Sequence, residues 1–245
     1  MRLLIVNSNT SQRVTDVVAA AARRFAAPGT ELDFATGTFG AGVIASRTEN
    51  AIAAHATVDL VARHAHSCDG VLIAVSYDSG LRAARELLGV PVMGITEASL
   101  LAALTLGTRI GLVVWGRGAV SVYLETIDSY GLGSRICGTR RLDMPFTGED
   151  AALDDALLGA ARDLVSRDDA EVIVLVGAVL AGRSLGIECR LDVPVLDGVR
   201  CAMPMLEAMV RIGARPAASG SYAAPGARAT DGLSAELAQR LLGTR

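Results

Sequence analysis

Aromatic residues make up only 4% of this 245-residue chain, which carries one tryptophan, three histidines and four cysteines. Cys68, Cys137, Cys189 and Cys201 are scattered, with no CxxC pair and no Cys/His cluster. That pattern indicates neither a disulfide framework nor a zinc site, and no cofactor is called for. His55, His64 and His66 lie together on one helical stretch with no partner motif around them. No apolar run approaches the ~20 residues that cross a bilayer, and MRLLIVNSNT passes from a short strand straight into asparagines, unlike a signal peptide. The net charge of -3 offers nothing to nucleic acid or to an anionic membrane. The expectation is a cytoplasmic protein whose partner is a small-molecule substrate, with no nucleic acid and no membrane, and which forms a homo-oligomer.

Half of the residues are apolar (51%), which suits helices packed on parallel strands. The length allows one large or two modest α/β domains. The most informative stretch is Cys68–Ala98. Val71–Val75 reads as a strand buried on both faces. Ser76-Tyr77-Asp78-Ser79-Gly80 then turns the chain, Leu81, Ala84 and Leu88 recur at helical spacing, and Val90–Ile95 is a second strand led in by proline. In open α/β sheets the loop past such a strand is where ligands sit.

Ala170–Val199 echoes this stretch: Val71 to Pro91 spans 20 positions, and Val172 to Pro194 spans 22. The preceding units correspond as well. Leu3–Val6 ends in Asn7–Thr10 before a helix from Val14 to Phe25, capped by Ser8, Asn9, Thr10 or Ser11; Arg109–Val114 ends in Trp115–Gly118 before a helix over Ser121–Tyr130. Further strands are expected at Glu31–Thr36 and Arg140–Met144. Further helices are expected at Glu49–His66, Ala98–Leu106 (with Thr96 as cap), Asp150–Arg167 and Leu233–Leu242, and a surface loop at Ala214–Thr230. The predicted fold is α/β: two pseudo-symmetric, doubly wound (Rossmann-like or flavodoxin-like) domains with parallel sheets. Residues 1–96 plus 204–245 form the first, 97–203 the second, and the strand-end loops face a shared cleft.

Val6–Thr10 (VNSNT), Asp78–Leu87 (DSGLRAAREL), Pro91–Ala98 (PVMGITEA), Val193–Val199 (VPVLDGV) and Gly220–Pro225 (GSYAAP) together resemble the aspartate/glutamate/hydantoin racemase superfamily, most closely its hydantoin and allantoin racemase branch. The resemblance runs over nearly the whole chain and implies a substrate site between the two domains. Racemases of this kind carry one cysteine at the end of each echoed strand; one thiolate removes the α-proton and the other thiol returns a proton from the far side. By resemblance those positions are Val75 and Gly177 here, and a shift of one residue gives Ser76 or Val176, still without a thiol. Val114-Trp115 stands where relatives often place two hydroxyl residues.

The resemblance therefore implies a divergent active site that does not use the two-thiol mechanism. Ser76, Tyr77 and Asp78 are the nearest candidates for catalytic work. Ser76 suits hydrogen bonding better than nucleophilic attack; Tyr77 is suited to donate to a developing enolate oxygen or to fill space as a half-buried aromatic. Asp78 fits a proton-transfer role or an Asx turn capping the next helix. Substrate contacts are expected from Asn7, Asn9, Ser46, Val75, Ser79, Thr96, Glu97, Trp115, Gly177 and Ala178. The implied function is a cofactor-independent carbon-acid enzyme, isomerase or decarboxylase/lyase-like, acting on a small carboxylate or cyclic imide or amide. The superfamily includes arylmalonate decarboxylases, which work with a single cysteine. The alternatives are a conventional hydantoin or allantoin racemase and a non-catalytic small-ligand binding protein.

Overall fold

Continuous apolar runs make strands that must be covered on both faces, and the chain satisfies this twice. The computed structural model describes residues 1–116, 119–144 and 150–242. Its first half runs β1 (Arg2–Asn7), α1 (Gln12–Phe25), β2 (Glu31–Thr36), α2 (Arg47–His64), β3 (Gly70–Ile73), α3 (Leu81–Leu87), β4 (Val92–Gly94) and α4 (Ile95–Ala103). The second half runs β5 (Ile110–Trp115), α5 (Ala119–Ser129), β6 (Ile136–Leu142), α6 (Asp150–Asp168), β7 (Val172–Val176), α7 (Ser184–Glu188), β8 (Val195–Asp197) and α8 (Gly198–Arg211), and α9 (Ala235–Leu241) follows.

Each half forms a four-stranded parallel sheet, ordered β2-β1-β3-β4 and β6-β5-β7-β8. The second order is the first with every strand number raised by four, so the echo read from the sequence is an echo of topology. Alternate residues of β1 face opposite sides: Leu3 and Ile5 enter the core shared with the second sheet, while Leu4 and Val6 enter a separate core under α2, α3 and α9.

The halves meet through α4 and α8, each beginning at the residue after the last strand of its half. α4 packs on α8 and reaches β7 and β8, whereas α8 returns to α1 and β3. Their starts come so close that a Cβ on Gly198 would lie 2.6 Å from Ile95 Cβ and 2.9 Å from Ile95 O. The divisions expected at 96/97 and 203/204 fall inside these two helices.

Several expectations are corrected. β3 ends at Ile73, because Ala74 N–H closes the ladder on Val6 O (2.8 Å) and the chain turns at once. β6 begins at Ile136, four residues before the expected start; it is a partly buried edge strand with no apolar run to mark it. α4 begins at Ile95 after Gly94, and Thr96 is not its cap. α8 was not anticipated, since Pro204 interrupts its pattern; Val199, Met203 and Leu206 are nonetheless buried at helical spacing. Arg117 and Gly118 of the expected Trp115–Gly118 loop lie outside the described residues.

The close approach of α4 and α8 predicts that Gly198→Ala will cost about 1–3 kcal/mol through overpacking. Gly159→Ala, in the interior of α6 with nothing within 4 Å of the added Cβ, is expected to stabilise by about 0.5–1 kcal/mol. Urea unfolding midpoints of the two variants should therefore move in opposite directions.

Candidate active site

β3 and β7 hold equivalent places in their sheets, and both run straight into a tight turn. Asp78 N–H donates to Val75 O (2.8 Å), and Leu180 N–H donates to Gly177 O (2.9 Å). Such a closure uses the carbonyl of the turn's first residue and the N–H of its fourth, and leaves the N–H groups of the two central residues outside the turn's own hydrogen bond. The turns line a cleft of about 520 Å³, bounded also by Asn9, Ser11, Arg13 and Val14 at the start of α1, by residues 42–45, and by Trp115, Tyr123, Asp143 and Met144. That volume suits a small molecule.

Ser76 Oγ accepts from Ala178 N–H at 2.7 Å and so ties one turn to the other. The Tyr77 ring packs on Tyr123, with centroids 4.3 Å apart and planes at 44°. The Tyr77 hydroxyl is buried and has no hydrogen-bond partner among the described residues. Burial, reinforced by the charge of Glu49 and opposed by the neighbouring Tyr123 hydroxyl, pushes its pKa up to about 12. Burial raises Tyr123 as well, and the neighbouring Tyr77 adds to the rise while Ser76 opposes it. Both phenols are therefore neutral donors near pH 7. Asn9 Oδ1 is held by Asn7 Nδ2 (2.9 Å) and Ser11 N–H (2.9 Å). Its own Nδ2 makes no hydrogen bond among the described residues.

Of the expected site residues, the structure brings Asn9, Val75, Ser76, Tyr77, Trp115, Gly177 and Ala178 together on the cleft wall. The rest do not line it. Asn7 is buried and braces Asn9, bonding also to Thr15 (2.9 Å). Ser46 caps α2, accepting from Glu49 N–H at 3.2 Å while its own hydroxyl donates to that residue's carboxylate. Ser79 donates to Asn50 (2.5 Å), Thr96 Oγ1 donates to Ser76 O (2.5 Å), and Glu97 forms a two-pronged ion pair with Arg85.

Asp78, expected as a proton-transfer group, is turned away from the cleft. Its carboxylate accepts from Thr96 N–H (3.1 Å) and Glu97 N–H (2.8 Å), capping α4 from a distant point in the chain, and from the Tyr130 hydroxyl (2.8 Å). Gly94 makes room for it: a Cβ there would lie 2.3 Å from Asp78 Cγ. The capping half of the sequence reading is what the geometry supports, for α4 and not for the helix that follows Asp78. Tyr123 was missed; the signal was the correspondence of halves, since α5 follows β5 as α1 follows β1.

None of the four cysteines lines the cleft. Burial raises Cys68 and Cys137 and pushes Cys201 up to about 12, so all three favour the thiol over the reactive thiolate. The chain has no lysine. Among the described residues no group of three His, Cys, Asp or Glu side chains is suited to hold a metal, and no helix is long and apolar enough to cross a membrane.

Two matched parallel sheets, with a ligand-sized cleft where their strand-end turns meet, define a two-sheet α/β protein. The chain belongs to the Asp/Glu/Hydantoin racemase family, whose sequence profile matches residues 3–206. A hydantoin racemase from Paenarthrobacter aurescens is 29% identical over 230 residues, covering 92% of this chain and 98% of the relative. The solved allantoin racemase from Pseudomonas fluorescens is 33% identical with a TM-score of 0.90, over 95% of this chain and all of that one (100%). The allantoin racemase from Klebsiella pneumoniae is 30% identical with a TM-score of 0.88, over 95% and 96% of the two chains.

Burial drives the Asp78 carboxyl up to about 7, and the Glu97 charge adds to this, against the opposing pull of the Glu97 N–H, the Tyr130 hydroxyl and the Thr96 N–H. The folded-state value thus lies above the ~3.9 of an unfolded aspartate, so the folded chain holds the extra proton between the two values. Stability from this group is present below about pH 4 and lost as pH rises to about 7. Denaturant midpoints measured across this range should fall with rising pH, and Asp78→Asn should flatten the trend.

Proposed function

We propose that the cleft carries cofactor-independent carbon-acid chemistry on a small carboxylate or cyclic imide or amide, without a two-thiol relay. The observation that carries this reading is Tyr77: the residue lines the cleft, and its hydroxyl, buried beneath the wall, makes no hydrogen bond among the described residues. An oxygen of the substrate would be its natural partner. The N–H groups that the Val75–Asp78 turn does not use, together with the Asn9 amide, complete a set of neutral donors suited to an enolate or enediolate oxygen.

No cysteine, histidine or lysine is among the described residues of the wall, and Asp143 is their one carboxylate. Such a wall stabilises a developing negative charge better than it removes a proton. That balance favours a decarboxylase or other lyase step. In a decarboxylation the carboxylate departs as CO2, and its bonding electrons pass through the α-carbon to the remaining carbonyl or carboxyl oxygen. Water then returns a proton to that carbon, so no base has to attack. Backbone geometry supports the same reading at the second strand end. Gly177 has φ +146°, so a cysteine there would be strained even though the space could hold its Cβ. A conventional hydantoin or allantoin racemase is the second reading, favoured by the names of the relatives.

Purified protein incubated in D2O with hydantoins, allantoin, amino acids and substituted malonates is expected to exchange an α-proton or release CO2. Iodoacetamide should leave that activity largely intact, and Tyr77→Phe should lower it by about 10²-fold. Inactivation by the thiol reagent would favour the racemase reading. Tight binding without turnover, read from the fluorescence of the single tryptophan, Trp115, would make the protein a binder.

A further inference from the structure

Helix α5 belongs to the second sheet, where Val122 and Ile127 are buried in the core, yet its carboxyl end is gripped by the first half. Arg82 of α3 donates to Ser129 O (2.5 Å) and lies over the Tyr130 ring at 5.9 Å. One residue past the helix, Tyr130 donates its hydroxyl to the buried Asp78 carboxylate. Arg47 and Glu125 add an ion pair nearer the middle of the helix, but its partners are exposed and such pairs contribute little. A hydrogen bond to a buried carboxylate is the stronger hold. Two turns before Tyr130 on the same helix stands Tyr123, which meets the Tyr77 ring on the cleft wall. Asp78 is itself one residue from Tyr77, in the turn that carries it. The Asp78–Tyr130 bond therefore closes a loop of structure in which the two phenols are the opposite members.

We propose that Asp78 and Tyr130 are positioning residues for the site: their bond across the junction of the halves holds α5 in register with the Val75–Asp78 turn and thereby sets Tyr123 against Tyr77. The catalytic part of this inference rests on the function proposed above; the mechanical part does not.

Hydrogen exchange read by mass spectrometry at pH 8 tests the mechanical part. Tyr130→Phe and Asp78→Asn are each expected to speed exchange by about tenfold or more in residues 75–80 and in the carboxyl half of α5, with the strands unchanged. Unchanged exchange in those segments, or a uniform rise along the whole chain, overturns the proposal. The catalytic part is read on whichever carbon acid the wild type turns over. Tyr130→Phe should lower kcat by about tenfold with KM within about twofold, and should add nothing in a Tyr123→Phe background. Fully additive losses would overturn the route through Tyr123. If no tested compound is turned over, the proposed function fails, and the exchange measurement alone decides the mechanical claim.

Discussion

A carboxylate removed from water must be met by donors or it will not stay charged. Asp78 is buried, and both halves of the chain supply groups that meet it. Two backbone N–H groups at the start of α4 supply the positive end of a helix, and Tyr130 supplies a hydroxyl. Gly94 leaves the space that the carboxylate occupies, which any side chain there would fill. Asp78 itself pays a backbone cost, with φ +49° in a residue other than glycine. Strain and desolvation together are what three hydrogen bonds have to offset. The result is a turn whose position relative to α4 is set by the partners of one side chain.

The second half solves the same construction problem in another way. α8 also begins directly after the last strand of its sheet, but its cap comes from the adjacent residue: Asp197 accepts from Arg200 N–H (3.0 Å) and from the Ser184 hydroxyl (2.6 Å). The turn after β7 is thus relieved of any capping duty and presents Gly177, Ala178 and Val179 to the cleft. The two halves share topology but not chemistry. Of the turns after β3 and β7, the first brings polar side chains to the cleft, whereas the second contributes backbone, including the N–H that Ser76 holds. A symmetric frame therefore encloses an asymmetric site.

This division explains what could be read from the residues alone. Runs such as Val71–Val75 and Val172–Val176 announce buried strands, and the repetition of strand, turn, helix and Val-Pro-Val revealed two halves and the turns between which a ligand would sit. Edges and interruptions were harder to read. β6 lacks an apolar run because one side of it is open, and Pro204 hides a helix whose packing against α1 and α4 overrides the lost hydrogen bond. The site was harder still. Ser46, Asp78 and Thr96 are residue types equally fit to cap a helix, brace a turn or hold a ligand, and the choice depends on which way each points. Asp78 caps a helix nearly twenty residues further along the chain, a pairing that no local pattern encodes. Tyr123 sits on a helix whose cleft-facing side depends on how α5 is docked.

The chemistry of the wall follows from its dryness. Tyr77 and Tyr123 pack ring on ring in a space that excludes water, which keeps both phenols protonated far above their ordinary range. A phenol in that state is a poor base and remains a neutral donor, already desolvated before any substrate arrives. Pre-set donors of this kind act most strongly on charge that appears only during the reaction, because no solvent has to reorganise around it. On the function proposed above, the same burial that stacks the two tyrosines fits them to reactions that build negative charge on an oxygen and leaves any proton removal to another group.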